Sequence, residues 1–124
     1  YDTIRQMHKA GVRLVVSTDQ GSTATQINEL YLLMDFLAKT IGMPNKEILY
    51  GVTSLAAQAL GQNDKIGTLE SNKKADIILV NGNPLTNISV LKQPFLVIKD
   101  GVIVARQGEL IEKETCLDIP FSNI

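Results

Sequence analysis

The chain has 124 residues, of which 44% are hydrophobic, 20% charged and 5% aromatic, a make-up that excludes a disordered or collagen-like chain and fits one ordinary globular domain. Twelve Lys plus Arg stand against thirteen Asp plus Glu, for a net charge of −1, so no basic surplus exists to neutralise phosphates, and no nucleic acid or membrane surface is expected as a partner. The apolar runs at 77–80 and 102–105 fall far short of the ~20 residues of a membrane-spanning helix, the single Cys116 excludes an internal disulfide, and the single His8 leaves this chain alone short of a metal-ligand set.

Ile4, Met7 and His8 lie at helical spacing, and Gly11 stands where that helix would end. The pattern starts inside an element, so the reading expects a piece of a longer protein. Residues 12–16, Val-Arg-Leu-Val-Val, form a short β-branched apolar run that ends at Ser17-Thr18-Asp19-Gln20-Gly21, the pattern of a parallel strand covered on both faces. Thr23 and Gln26 then have capping-box spacing, and Ile27, Leu30, Met34, Leu37 and Ile41 recur at threes and fours up to Gly42, which predicts an amphipathic helix. Pro44 and Asn45 open a second helix, with Ile48, Val52, Leu55, Ala56 and Ala59 on one face and Gly61 as its left-handed cap.

From Asn63 onward the pattern changes to short β-rich stretches at 66–69, 75–80, 95–99, 102–106 and 109–111, separated by Gly, Asn and Pro, which predicts an antiparallel sheet. Asp100-Gly101 between two β-branched runs predicts a two-residue type I′ hairpin. The expected division is a βα portion at 1–62, a β-rich unit at 63–112 and a tail at 113–124, ordered by its neighbours.

Several short motifs recur in a telling order: Ala10-Gly11-Val12 leading into Ser17-Thr18-Asp19, Glu29-Leu30, Thr53 with Ala56-Ala57 and Ala59-Leu60-Gly61, Ile66-Gly67-Thr68-Leu69-Glu70, Lys74-Ala75-Asp76-Ile77-Ile78, Gly82-Asn83-Pro84-Leu85, and Val97-Ile98-Lys99-Asp100-Gly101. Each is weak alone. As an ordered set covering most of the chain, they resemble the C-terminal end of a metal-dependent amidohydrolase, in the imidazolonepropionase and prolidase-like branch.

The resemblance implies an α/β fold: the last strand and helices of a (β/α)₈ barrel plus the C-terminal part of a small β-sandwich contributed by both chain ends. Residues 12–16 would be the eighth strand. Since such a barrel takes ~250 residues, the chain would be a fragment. The resemblance further implies hydrolysis of amide or similar C–N bonds by a metal-activated water, with a divalent metal, zinc in this reading, in the intact parent and none expected in the isolated chain. Asp19 matches the family's eighth-strand aspartate, both metal ligand and catalytic group, whose carboxylate can carry a proton from the water to the leaving nitrogen. From the residues alone, the favoured reading is that Asp19 closes a Ser-Thr-Asp-Gln-Gly turn or caps the next helix, and only the resemblance reverses it.

Ser17 and Thr18 are read as satisfying local backbone groups, and Glu29 as a charge favoured near a helix N-terminus. Asn28 stands where family members often carry His, so no substrate-binding residue is assigned. Asn72 replaces a usual Gly, which a left-handed conformation tolerates. His8 reads as a surface or packing side chain, and Cys116 receives no role. The expected substrates are small amides: dipeptides, cyclic amides or imidazolones. The isolated chain is expected to be inactive and, with an unpaired apolar strand, to associate with itself or with the missing barrel. The alternative is a non-catalytic α/β interaction or scaffold module derived from the same fold.

Overall fold

The computed structural model describes residues 1–18 and 30–115. Asp19, Thr23, Gln26, Ile27, Asn28, Glu29 and Cys116 lie outside them. Helix α1 (Asp2–Lys9) carries Asp2 in its first turn and His8 and Lys9 in its last, charges that suit the helix dipole at each end. It ends in a Schellman pair, with the Gly11 N–H donating to the His8 carbonyl (3.0 Å) and the Val12 N–H to that of Met7 (3.0 Å), which satisfies carbonyls the helix leaves free.

Helix α2 (Leu30–Phe36) runs on as a π-helical turn (Leu37–Ile41) and stops at left-handed Gly42. The apolar spacing foreseen for this helix survives in its described part: Met34, Leu37 and Ile41 are buried. The long second helix is a correction, because it is two helices, α3 (Asn45–Val52) and α4 (Ser54–Ala59). Thr53 separates them with φ −118° and ψ −95°, and its hydroxyl donates to the Leu49 carbonyl at 2.6 Å, a back-bond of the kind that bends helices. Beyond α4, Gly61 is left-handed at φ 63°, as read from the sequence.

Four strands, β1 (Ile77–Leu79), β2 (Leu96–Lys99), β3 (Val102–Arg106) and β4 (Glu109–Thr115), form one sheet in the order β1-β2-β3-β4 with every neighbouring pair antiparallel. Asp100 (φ 51°) and Gly101 (φ 81°) make the foreseen I′ turn, flanked by the pair Lys99 and Val102. A second such turn, unforeseen, stands at Gln107 (φ 52°) and Gly108 (φ 87°) between Arg106 and Glu109; it carries β4 past 111 into the expected tail. Stretch 66–69 is no strand: its backbone is drawn into a turn in which the Lys65 and Ile66 N–H groups donate to the Gln62 carbonyl (2.9 and 3.0 Å) and the Gly67 carbonyl accepts from Ser54 Oγ (2.9 Å). Asn72 is left-handed at φ 69°, as its place in the sequence suggested.

The main core lies among the helices: Val16, Met34, Leu37, Ile41, Met43 and Ile48, joined by Ile88 from a 3₁₀ turn (Ile88–Lys92) that returns from the β-rich half. Ser89 Oγ donating to Asp35 Oδ1 (2.8 Å) and Asn45 Nδ2 donating to the Pro84 carbonyl (3.1 Å) fasten that return.

Residues 12–16 form no ladder within this chain. Their burial alternates with the period of an extended chain, but they belong to no sheet among the described residues, because β1 to β4 pair only with one another and no other strand lies among those residues to complete a ladder. Leu14 is half-buried and Val16 buried, while Val12 and Val15 remain 49% and 47% exposed.

Candidate functional site

Asp19 lies one residue past the described segment 12–18, so its surroundings begin with what holds that segment. At its start the chain leaves α1 through the Gly11 turn. Near its end the Val16 N–H donates to the Gly51 carbonyl of α3 at 3.2 Å. Gly51 admits this approach only because it lacks a side chain: a Cβ there would lie 2.7 Å from the Leu14 carbonyl oxygen and 2.9 Å from Val16 Cγ2. Alternation along the extended chain turns Leu14 and Val16 toward the helices and Arg13, Val15 and Ser17 outward. Thr18, half-buried, is the last described residue before Asp19.

Beside the segment opens a cleft of about 220 Å³ with an apolar wall from Val12, Leu14, Met43 and Leu55 and a polar rim of His8, Arg13, Glu47 and Tyr50. There His8 Nε2 donates to Glu47 Oε2 at 2.7 Å, joining the last turn of α1 to the first turn of α3. Sequence reading left His8 without a partner; the two residues are 39 apart, and no local pattern links them. Among the described residues no third ligand-bearing side chain joins them and no group of three or more His, Cys, Asp or Glu side chains gathers, so the described residues do not by themselves make a metal site.

Several other charges among the described residues pair within the scaffold. A second hollow, about 260 Å³, is bordered by Thr68 to Ile77; there Lys73 Nζ bonds Thr68 Oγ1 (2.5 Å) and Glu70 (3.1 Å), and the ammonium holds the Glu70 carboxyl below the usual carboxylate range. Lys39 and the Ser89 hydroxyl do the same for Asp35. At the first hairpin Lys99 Nζ lies 2.7 Å from Asp76 and 3.3 Å from Asp100, Lys74 lies 3.2 Å from Asp100, and the Asp100 N–H donates to Asp76 Oδ1 at 2.8 Å. Lys99 chiefly lowers the Asp76 carboxyl, Lys74 and then Lys99 lower that of Asp100, and Asp76 raises Lys99. None of the described helices is long and apolar enough to cross a membrane.

A family model described as "Amidohydrolase family" matches residues 1–104. The imidazolonepropionase of Shouchella clausii (strain KSM-K16) is 33% identical over 112 residues, covering 88% of this chain and 25% of the relative. That of Mesorhizobium japonicum (strain LMG 29417) is 42% identical over 69 residues, covering 56% of this chain and 17% of its own. Among solved structures, a Xaa-Pro dipeptidase with bound methionine in its active site superposes with a TM-score of 0.75 at 35% identity, covering 82% of this chain and 24% of the other. A further amidohydrolase superposes at 0.71 with 28% identity, covering 87% and 26%. The chain thus spans about a quarter of the length of relatives that match most of it.

Proposed function

The chain belongs to the amidohydrolase family, in the branch of imidazolonepropionases and prolidase-like enzymes, and from that premise we propose that it is the C-terminal portion of a metal-dependent hydrolase acting on the C–N bonds of small amides. The observation that carries this reading is the family match over residues 1–104, which takes in Ser17-Thr18-Asp19 at the end of the extended segment. Residues 12–16 are then the eighth strand of a barrel whose other strands lie elsewhere in the protein, and β1 to β4 are one share of a β-sandwich. Exposed Val12 and Val15 support a segment made to be covered, by the rest of the barrel or by another copy of this chain.

Asp19 is this chain's contribution to catalysis and to holding a divalent metal, zinc in our reading, which when bound supplies an activated water. Its carboxylate takes the proton of the attacking water and delivers it to the leaving nitrogen. With one histidine in 124 residues, the other ligands come from elsewhere, and the isolated chain is inactive. The names of the relatives support an imidazolone or a dipeptide as substrate. In the full-length protein carrying this chain, Asp19→Asn keeps side-chain size while removing the proton carrier, and turnover should fall by roughly 10²-fold or more. Unchanged turnover in a folded variant would remove Asp19 from the mechanism, whereas no turnover in the unaltered full-length protein would favour a non-catalytic scaffold.

A further inference from the structure

We propose that His8 and Glu47 are positioning residues whose bond clasps α1 to α3 and so fixes the start of the extended segment that delivers Asp19. This rests on the reading of Asp19 given above.

Helix α1 buries none of its residues fully; Ile4 reaches the core only in part. Polar and ring contacts therefore hold it: Arg5 Nη2 donates to the Thr40 carbonyl in the π-helical turn at 2.6 Å, Tyr1 meets Phe36 edge-on with ring centroids 4.9 Å apart, and His8 Nε2 donates to Glu47. Of the three, only the His8 bond lies in the turn from which Gly11 launches the segment. The two helix ends suit it, because the first turn of α3 favours a carboxylate and the last turn of α1 favours a cation. The far end of the segment is fixed on the same helix, four residues along, by the Val16 bond to Gly51. Helix α3 thus holds both sides of the Gly11 turn, the last turn of α1 through Glu47 and the segment itself through Gly51. Releasing the His8 bond frees the last turn of α1 and lets the chain that leads to residue 18 shift.

Shifts of about 1 Å in a reacting group can cost about 10²-fold in rate, so a loosened clasp should lower kcat and leave KM nearly unchanged. The test uses the full-length protein with His8→Ala, Glu47→Ala, the double variant and His8→Gln, whose amide nitrogen can still donate. Amide exchange in the peptide spanning 12–18 should quicken about fivefold in either Ala variant, as befits the loss of one partly exposed charged bond. The double variant should exchange no faster than the singles. Turnover should fall about tenfold with KM held, and His8→Gln should restore both readouts. Unaltered exchange in His8→Ala, additive effects in the double variant, or a loss confined to KM would overturn the clasp. The exchange readout does not depend on catalysis, so it decides the clasp even if Asp19→Asn turns out fully active and the reading of Asp19 fails.

Discussion

Ile48 and Ile103 are both completely enclosed, yet they are enclosed by different kinds of neighbour. Around Ile48 the core draws on Val16, Met34, Leu37 and, far along the chain, Ile88. Around Ile103 the sheet is supplied by adjoining hairpins, with Ile98 on one side and Glu114 on the other in the pairing register. The helical half therefore closes by long-range packing, while in the sheet β2 to β4 close by turns of two residues and only β1 pairs across a longer connection, residues 80–95. Each leaves a different surface open. In the helical half it is the segment 12–16, whose backbone lacks a ladder among the described residues. In the sheet it is a row in register across all four strands, Ile78, Val97, Ala105 and Leu110, with Ile78 52% and Leu110 88% exposed.

The sharpest way to break this contrast is to empty each core in turn. Ile48→Ala and Ile103→Ala should each cost about 2–5 kcal/mol, the transfer loss plus a cavity. Denaturant unfolding followed by amide exchange should show Ile48→Ala loosening peptides from residues 30 to 59 together with the Ile88–Lys92 turn, whereas Ile103→Ala loosens β1 to β4. If either variant loosened both halves equally, the chain would be one cooperative unit and the distinction would fail.

The same contrast explains what could be read in advance. Asp100-Gly101 was legible because a type I′ turn depends only on its central residues and the strands beside them. Gln107-Gly108 makes the same turn, but Gln is not among the residues that readily take positive φ, so the sequence carried half the signal. The helix spacing through Met34, Leu37 and Ile41 was legible as a period; the break at Thr53 was not, since it arises from one hydroxyl bonding back to the Leu49 carbonyl. The run at 12–16 reads as a strand because its residues suit one, but a strand needs a partner, and none lies among the described residues. Likewise Glu47 could not be matched to His8 across 39 positions, and Asp19 was legible only through the family resemblance, its own place falling outside the described residues.

A smaller effect tests the claim that the sheet is turn-built. At both Gly101 and Gly108 a Cβ would meet nothing within 4 Å, so Ala there introduces backbone strain without a clash. Each variant should cost about 1–2 kcal/mol, the penalty of a left-handed L-residue, and the two losses should be nearly equal because the φ values are 81° and 87°. Denaturant midpoints will compare them. A loss at Gly101 alone would mean that the second turn is not specified by its own residues.

The smallest effect concerns the charges around the first hairpin. Asp76 and Asp100 are held below the usual carboxylate range by Lys99 and Lys74, so the stability they lend is fully present above the ordinary unfolded value of about 3.9 and is lost as pH falls through their lowered folded values. Lys99 is raised by Asp76, so its share is present below the ordinary lysine value of about 10.4 and disappears as pH climbs through the raised one. The sheet should therefore lose melting temperature at both extremes and hold a plateau between them. These side chains are largely exposed, so the loss is modest and about 1 M salt should flatten it by screening. Asp76→Asn removes the carboxylate that accepts from both Lys99 and the Asp100 N–H; in that variant the acid-side drop should shrink and the plateau should sit lower. An acid-side drop that keeps its full size in Asp76→Asn would assign it instead to the remaining lowered carboxyls, Asp100 and Glu70 in the β-rich half and Asp35, which ties α2 to the Ile88–Lys92 turn, and adding Asp35→Asn would then separate the helical share from the rest.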